Sequence, residues 1–175
     1  MDRENIFLFL FPLSPEVECK TRMKSKILNG PENRTLEASE STFALIFDTE
    51  DEVISGLKAF AADQGVTASH FTAIGAFKDA LLGYFDWEKK EYKKIPIREQ
   101  VEVLSLIGDI TLEDGKPNVH AHVVVGKPDG TAHGGHLLEG HVRPTLEVIL
   151  TESPKHLTRY FDEESKLALI RVWKD

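Results

Sequence analysis

One cysteine, Cys19, stands in a chain of 175 residues. An internal disulfide is therefore impossible, and the composition suits a reducing compartment, the basis for expecting a cytoplasmic protein. Long apolar runs are also missing. None approaches the 18 residues of a membrane-spanning helix, so no membrane partner is expected. Positive charge is in deficit, with 21 Lys and Arg against 29 Asp and Glu and a net charge of −8. A free-standing nucleic-acid binder should carry a basic face, so this balance disfavours DNA without excluding a small basic patch. The one basic cluster, Lys89-Lys90-Glu91-Tyr92-Lys93-Lys94, is interleaved with acid and reads as a solvated hairpin. Several catalytic signatures are absent: the paired histidines of a peptidase helix, the serine elbow of an α/β-hydrolase and the dinucleotide-binding glycine fingerprint. Whether the chain is an enzyme stays open on these grounds.

The first 22 residues differ from the rest. Ile6 to Leu13 is apolar, but Met1-Asp-Arg-Glu-Asn before it has no net positive charge, and Pro15-Glu-Val-Glu-Cys19 is a poor cleavage site. Met23-Lys-Ser-Lys looks like an ordinary start. Residues 1–22 are read as a dispensable leader or an over-called start, poorly ordered. Residues 23–175 are read as one domain of a size that supports a real core.

Hydrophobic periodicity supplies the fold class. Ser41 to Phe47 reads as a buried strand. Thr49-Glu-Asp-Glu52 fits a capping box ahead of a helix with Val53, Ile54, Leu57, Phe60 and Ala61 on one stripe, stopping at Gly65. Strands follow at Ser69–Ala76, Ala80–Asp86, Tyr92–Ile97 and Gln100–Leu112. After a turn at 113–117 come a histidine-rich hairpin, Thr145–Leu150, a break at Ser153-Pro154, and Leu167–Trp173. One main helix and about seven short-spaced strands mean a single-domain α+β fold with a mostly antiparallel sheet.

The histidines carry the chemistry. His120 and His122 lie two apart in a valine-rich run, so in a strand they share a face. Pro128-Asp129-Gly130 turns the chain back. A three-residue loop with Gly130 left-handed pairs Lys127 with Thr131 and sets His136 opposite His122 on the same face. A two-residue loop would instead pair His122 with Leu137 and turn His136 away. Pro128 suits the first position of a type I turn, which favours the longer loop. Cross-strand neighbours have Cβ atoms about 5 Å apart, so three imidazoles suit a divalent metal ion, zinc first, with a position open to water or a small-molecule ligand. His133 and His141 have the opposite parity and are expected to face away; His70 and His156 are isolated. Glu139 and Glu147 are the candidate carboxylates near the metal. Gly134, Gly135 and Gly140 suggest close approach by another backbone or by a ligand.

Several segments, taken as an ordered set, resemble a known family. They are Ser69 to Ala76, Leu82-Gly-Tyr-Phe-Asp86, Val103 to Gly108, His120-Ala-His122, Gly134-Gly-His-Leu-Leu-Glu-Gly140 and Glu147-Val. They resemble the PPC domain (plants and prokaryotes conserved) over roughly residues 38 to 172. The resemblance implies an α+β fold assembled as a homotrimer, and a DNA-binding designation. In plants that designation goes with an Arg-Gly-Arg-Pro hook beside the domain, and this chain has no Arg-Gly-Arg. The bacterial and archaeal branch is more similar. Its His-x-His and Gly-Gly-His positions, here His120, His122 and His136, look like a metal site. The expected function is therefore a trimeric ligand- or metal-binding protein. The alternatives are a DNA-associated regulator and a metal-dependent hydrolase or lyase, since an open position on a His₃ ion can bring the pKa of water toward about 7.

Overall fold

The computed structural model describes residues 24–29, 41–153 and 158–171. The leader expected at 1–22, with Cys19, and His156 lie outside these. The described elements are β1 (Lys24–Asn29), β2 (Thr42–Asp48), α1 (Val53–Gln64), β3 (Ser69–Asp86), β4 (Glu91–Ile97), β5 (Val101–Glu113), β6 (Lys116–Gly126), β7 (Ala132–Glu152), β8 (Arg159–Asp162) and β9 (Leu167–Ile170). Strands dominate, the single described helix is α1, and the expected α+β class holds. No described helix is long and apolar enough to cross a membrane.

Seven strands form one sheet in the order β1-β2-β7-β6-β5-β3-β4, and β8 pairs with β9 separately. β7 pairs with β2 and β6, and also with β3 along most of its length. Because β3 pairs with β5 and β5 with β6, strands β3, β5, β6 and β7 close a circuit. Inward positions alternate with outward ones, as a pleated strand requires. Phe43, Leu45, Phe71, Phe77, Leu82, Leu106, Leu137 and Leu150 fill the inside. The buried stripe of α1 packs there, and Phe60 meets Phe43 edge-on at 5.1 Å.

The strands at 69–76 and 80–86 are continuous, contrary to the sequence reading. Gly75, at φ 149°, and nearby register shifts bend β3 without breaking it. The histidine hairpin and Thr145–Leu150 likewise fuse into the 21-residue β7. Pro144 lacks an N–H but falls between the partners Val142 and Leu146 of β3, where no ladder bond is lost. The helix cap is also shifted. Glu52 is itself the N-cap, accepting from the N–H of Ile54 at 3.0 Å and Ser55 at 2.7 Å, while the Thr49 hydroxyl donates to the Pro144 carbonyl. Gly65 ends the helix left-handed, φ 64°, as expected.

A Cβ on Gly75 would lie 2.3 Å from the carbonyl oxygen of Thr145, in a conformation L-residues rarely adopt. Gly75→Ala should therefore destabilise the fold by about 2 kcal/mol or more, read by urea unfolding. An unchanged midpoint would show that β3 and β7 can separate there freely.

Candidate metal centre

The β6–β7 turn has the longer-loop geometry. Lys127 N–H donates to the Thr131 carbonyl and Gly130 N–H to the Lys127 carbonyl, each at 2.9 Å, with Gly130 at φ 82°. Asp129 secures the loop by accepting from the N–H and hydroxyl of Thr131. His122 consequently pairs with His136. Ring centroids are 5.2 Å apart for His120 and His122, 5.2 Å for His120 and His136, and 5.4 Å for His122 and His136. One donor atom from each imidazole lies within 4.8 Å of the others.

Electrostatics favour neutral rings at His122 and His136. Burial, with the nearby charges of His120, His122 and Arg159, lowers the pKa of His136 to about 4. Burial and His120 also lower that of His122. These two rings need release no proton to coordinate a cation near pH 7. Nδ1 of His136 is buried without a hydrogen-bond partner among the described residues. Such an orphan is costly unless something absent from the protein itself satisfies it. The donor set and the orphan both fit a divalent ion. The outward rung runs from His122 through Ile107, Thr72 and Ile149 to Ala44, so the trio borders an apolar outer face.

The profile of the Plants and Prokaryotes Conserved (PCC) domain matches residues 34–154. The chain belongs to this family. A PPC protein of Pyrococcus horikoshii is 37% identical, with a TM-score of 0.71, covering 76% of this chain and 92% of that one. A metal-containing protein of Archaeoglobus fulgidus is 38% identical, with a TM-score of 0.69, covering 75% and 93%. A candidate DNA-binding protein of Bacteroides thetaiotaomicron is 25% identical, with a TM-score of 0.72, covering 74% and 91%. No curated protein matches the chain.

Within this PCC domain the other expected site residues are dispersed. Glu139 is exposed and lines a pocket with Lys78, Asp79, Ile97 and Arg98. Glu147 is exposed on the outer face, opposite Ile46 and Ile74. Neither joins the histidine cluster. Gly135 does meet a close backbone: a Cβ there would be 2.8 Å from the Gly83 carbonyl oxygen. At Gly135 the glycine signal thus marks the close antiparallel pairing of β7 with β3. His133 lies opposite the buried Val125, away from the trio, and Nδ1 of His141 is 2.7 Å from Asp79. His70 is exposed.

Sequence reasoning missed two polar neighbours of the trio and one aromatic one. Asp109 is the β5 partner of His120, with Oδ2 3.8 Å from Nδ1. Its burial alone would raise its pKa, but the neighbouring His120 and the hydrogen bond and charge of Arg159 hold it below the ordinary carboxylate value. An aspartate inside Leu106-Ile-Gly-Asp-Ile110 was the available signal, because a carboxylate amid an apolar strand needs a partner. Arg159 comes from β8, beyond the matched span, where no local pattern announced it. The Tyr92 ring lies 4.8 Å from that of His136.

Proposed function

We propose that the protein is a trimeric metal-binding PCC-domain protein whose His120, His122 and His136 hold one divalent ion. The observation that carries this reading is the convergence of three imidazole donors within 4.8 Å, and the orphaned Nδ1 of His136 supports it. Zinc is the first candidate, because borderline-soft imidazole nitrogens suit it and three protein ligands leave a position for water or a small ligand. The metal-containing relative from Archaeoglobus fulgidus, at 38% identity, supports the same view. Elemental analysis of purified protein should find about one divalent ion per chain. Protein that is metal-free, and takes up none on dialysis against zinc, would overturn the reading.

Assembly as a homotrimer is part of the proposal. Ile74 is 61% exposed, Ile107 55% and Ile149 45%, all on the outer face that α1 does not cover. A face this apolar is a liability in water unless covered, and further copies of the chain would cover it. A ligand pocket bordering the metal would then lie at a subunit boundary.

DNA binding is the second reading, favoured by the Bacteroides relative. Charge weighs against it. Of the Lys89–Lys94 cluster, Lys90 lies over the Trp87 ring at 2.9 Å and Lys89 is 3.8 Å from Asp86. Duplex binding at physiological salt should therefore be no tighter than the nonspecific range of about 10⁻⁴ to 10⁻⁶ M in an anisotropy titration. Sequence-specific nanomolar binding would promote the second reading over the first.

A further inference from the structure

The family match ends at residue 154, and the chain then builds one more hairpin, β8–β9. Ser165 N–H donates to the Asp162 carboxylate at 2.7 Å and Lys166 N–H to the Asp162 carbonyl at 2.8 Å, which closes its turn. The hairpin delivers Arg159 beside His120. The Arg159 side chain is only 5% exposed. Its Nε donates to the Thr111 hydroxyl at 2.7 Å, Nη1 to the Ala168 carbonyl at 2.8 Å, and Nη2 to Asp109 Oδ1 at 2.6 Å. Three acceptors around one planar fork leave the guanidinium a single orientation. Oδ1 of Asp109 is thereby pinned, and Oδ2 is left on the side of His120 Nδ1. Nη2 also comes within 3.4 Å of the same Nδ1.

A metal-binding imidazole almost always gives its other N–H to a carboxylate, carbonyl or water, and this fixes the ring and its tautomer. We propose that Arg159, acting through Asp109, is a positioning residue for His120, so that a hairpin outside the matched domain sets how tightly the trio holds its ion. The inference rests on the metal-binding reading above. With the proton on Nδ1, the N–H faces Asp109 Oδ2 at 3.8 Å, an ion-pair distance, and Nε2 keeps its lone pair for the metal. With the proton on Nε2, Nδ1 accepts from Arg159 and the ring offers that side no lone pair. The 3.4 Å approach of Nη2 suits the second arrangement, and a cation bound at Nε2 selects the first, in which the carboxylate's negative charge stabilises the Nδ1 proton. The guanidinium is itself a cation beside a cation site, but its pairing with Asp109 offsets that charge. A hairpin anchor with no such role would leave metal affinity unchanged.

The test measures zinc affinity of the full chain by competition with a chromophoric chelator, alongside thermal unfolding of the metal-free proteins. The variants are Asp109→Asn, which keeps shape, Arg159→Gln, and the two together. Asp109→Asn should weaken zinc 10- to 100-fold and Arg159→Gln about tenfold, the range for groups that orient metal ligands. The double variant should be no weaker than Asp109→Asn, because both changes break one chain of contacts. Zinc binding by wild type with Arg159→Gln unchanged or tighter would overturn this inference alone, even if that variant melts earlier. Fully additive losses would also overturn it, since Arg159 would then act independently of Asp109. A wild type that binds no zinc would overturn the metal reading, and this inference with it.

Discussion

His122→Ala should leave the purified protein with little or no bound metal, whereas His133→Ala should retain the wild-type amount. The two residues lie on the same hairpin, so the comparison separates the ligand face from the hairpin itself. His122 is directly opposite His136 and borders His120 at a ring separation of 5.2 Å. His133 pairs with Val125 on the other face. Loss of a ligand that touches the ion should cost more than the 10- to 100-fold typical of groups that merely orient ligands, so affinity should fall by more than about 100-fold. His122 is exposed, and truncating it opens no cavity in the core, so the variant should still fold. Elemental analysis on both proteins decides the matter. Equal metal in wild type and His122→Ala would remove His122 from the site and, with it, the three-imidazole assignment.

The second large effect concerns assembly. Light scattering at micromolar concentration should give about three times the 19.7 kDa chain mass. Ile107→Asp should shift that mass toward a single chain. Ile107 is 55% exposed and sits in the rung between His122 and Thr72, with Ile149 on the far side of Thr72. A carboxylate there costs little in an open face but is unpaired and desolvated if another copy covers it. A wild type that runs as a monomer at this concentration would reject the trimer. A trimer undisturbed by Ile107→Asp would place the interface on some other surface.

How legible this molecule was in its sequence depended on how local each signal is. The β6–β7 hairpin was readable because its register is set by four or five residues around Pro128 and Gly130, and the two strands joined there carry all three histidines that meet. The end of α1 at Gly65 was readable for the same reason. The continuity of β3 and β7 was not. Gly75 and Pro144 are breakers in isolation, and they are tolerated here only because each falls at a register gap between two strands that lie some 70 residues apart in the chain. Asp109 and Arg159 were missed at the site because their partners are set by sheet order and by the docking of β8, neither of which a single segment reveals. The same holds in reverse for Glu139 and Glu147. Both are near His136 in sequence, yet the trio took its nearest carboxylate from the opposite strand.

The pairing of β7 with β2, β3 and β6 also governs what happens while the chain is being made. β7 ends at Glu152, and until that stretch emerges from the ribosome β2 and β6 each lack a neighbour and the circuit through β3 cannot close. The nascent chain therefore carries the apolar strands Thr42–Asp48 and Ser69–Asp86 with unpaired edges for most of its synthesis. Such edges invite mispairing with other chains. Pausing of translation between residues 113 and 132 would lengthen that exposure, whereas release beyond residue 152 lets three separate strand pairings form around one segment.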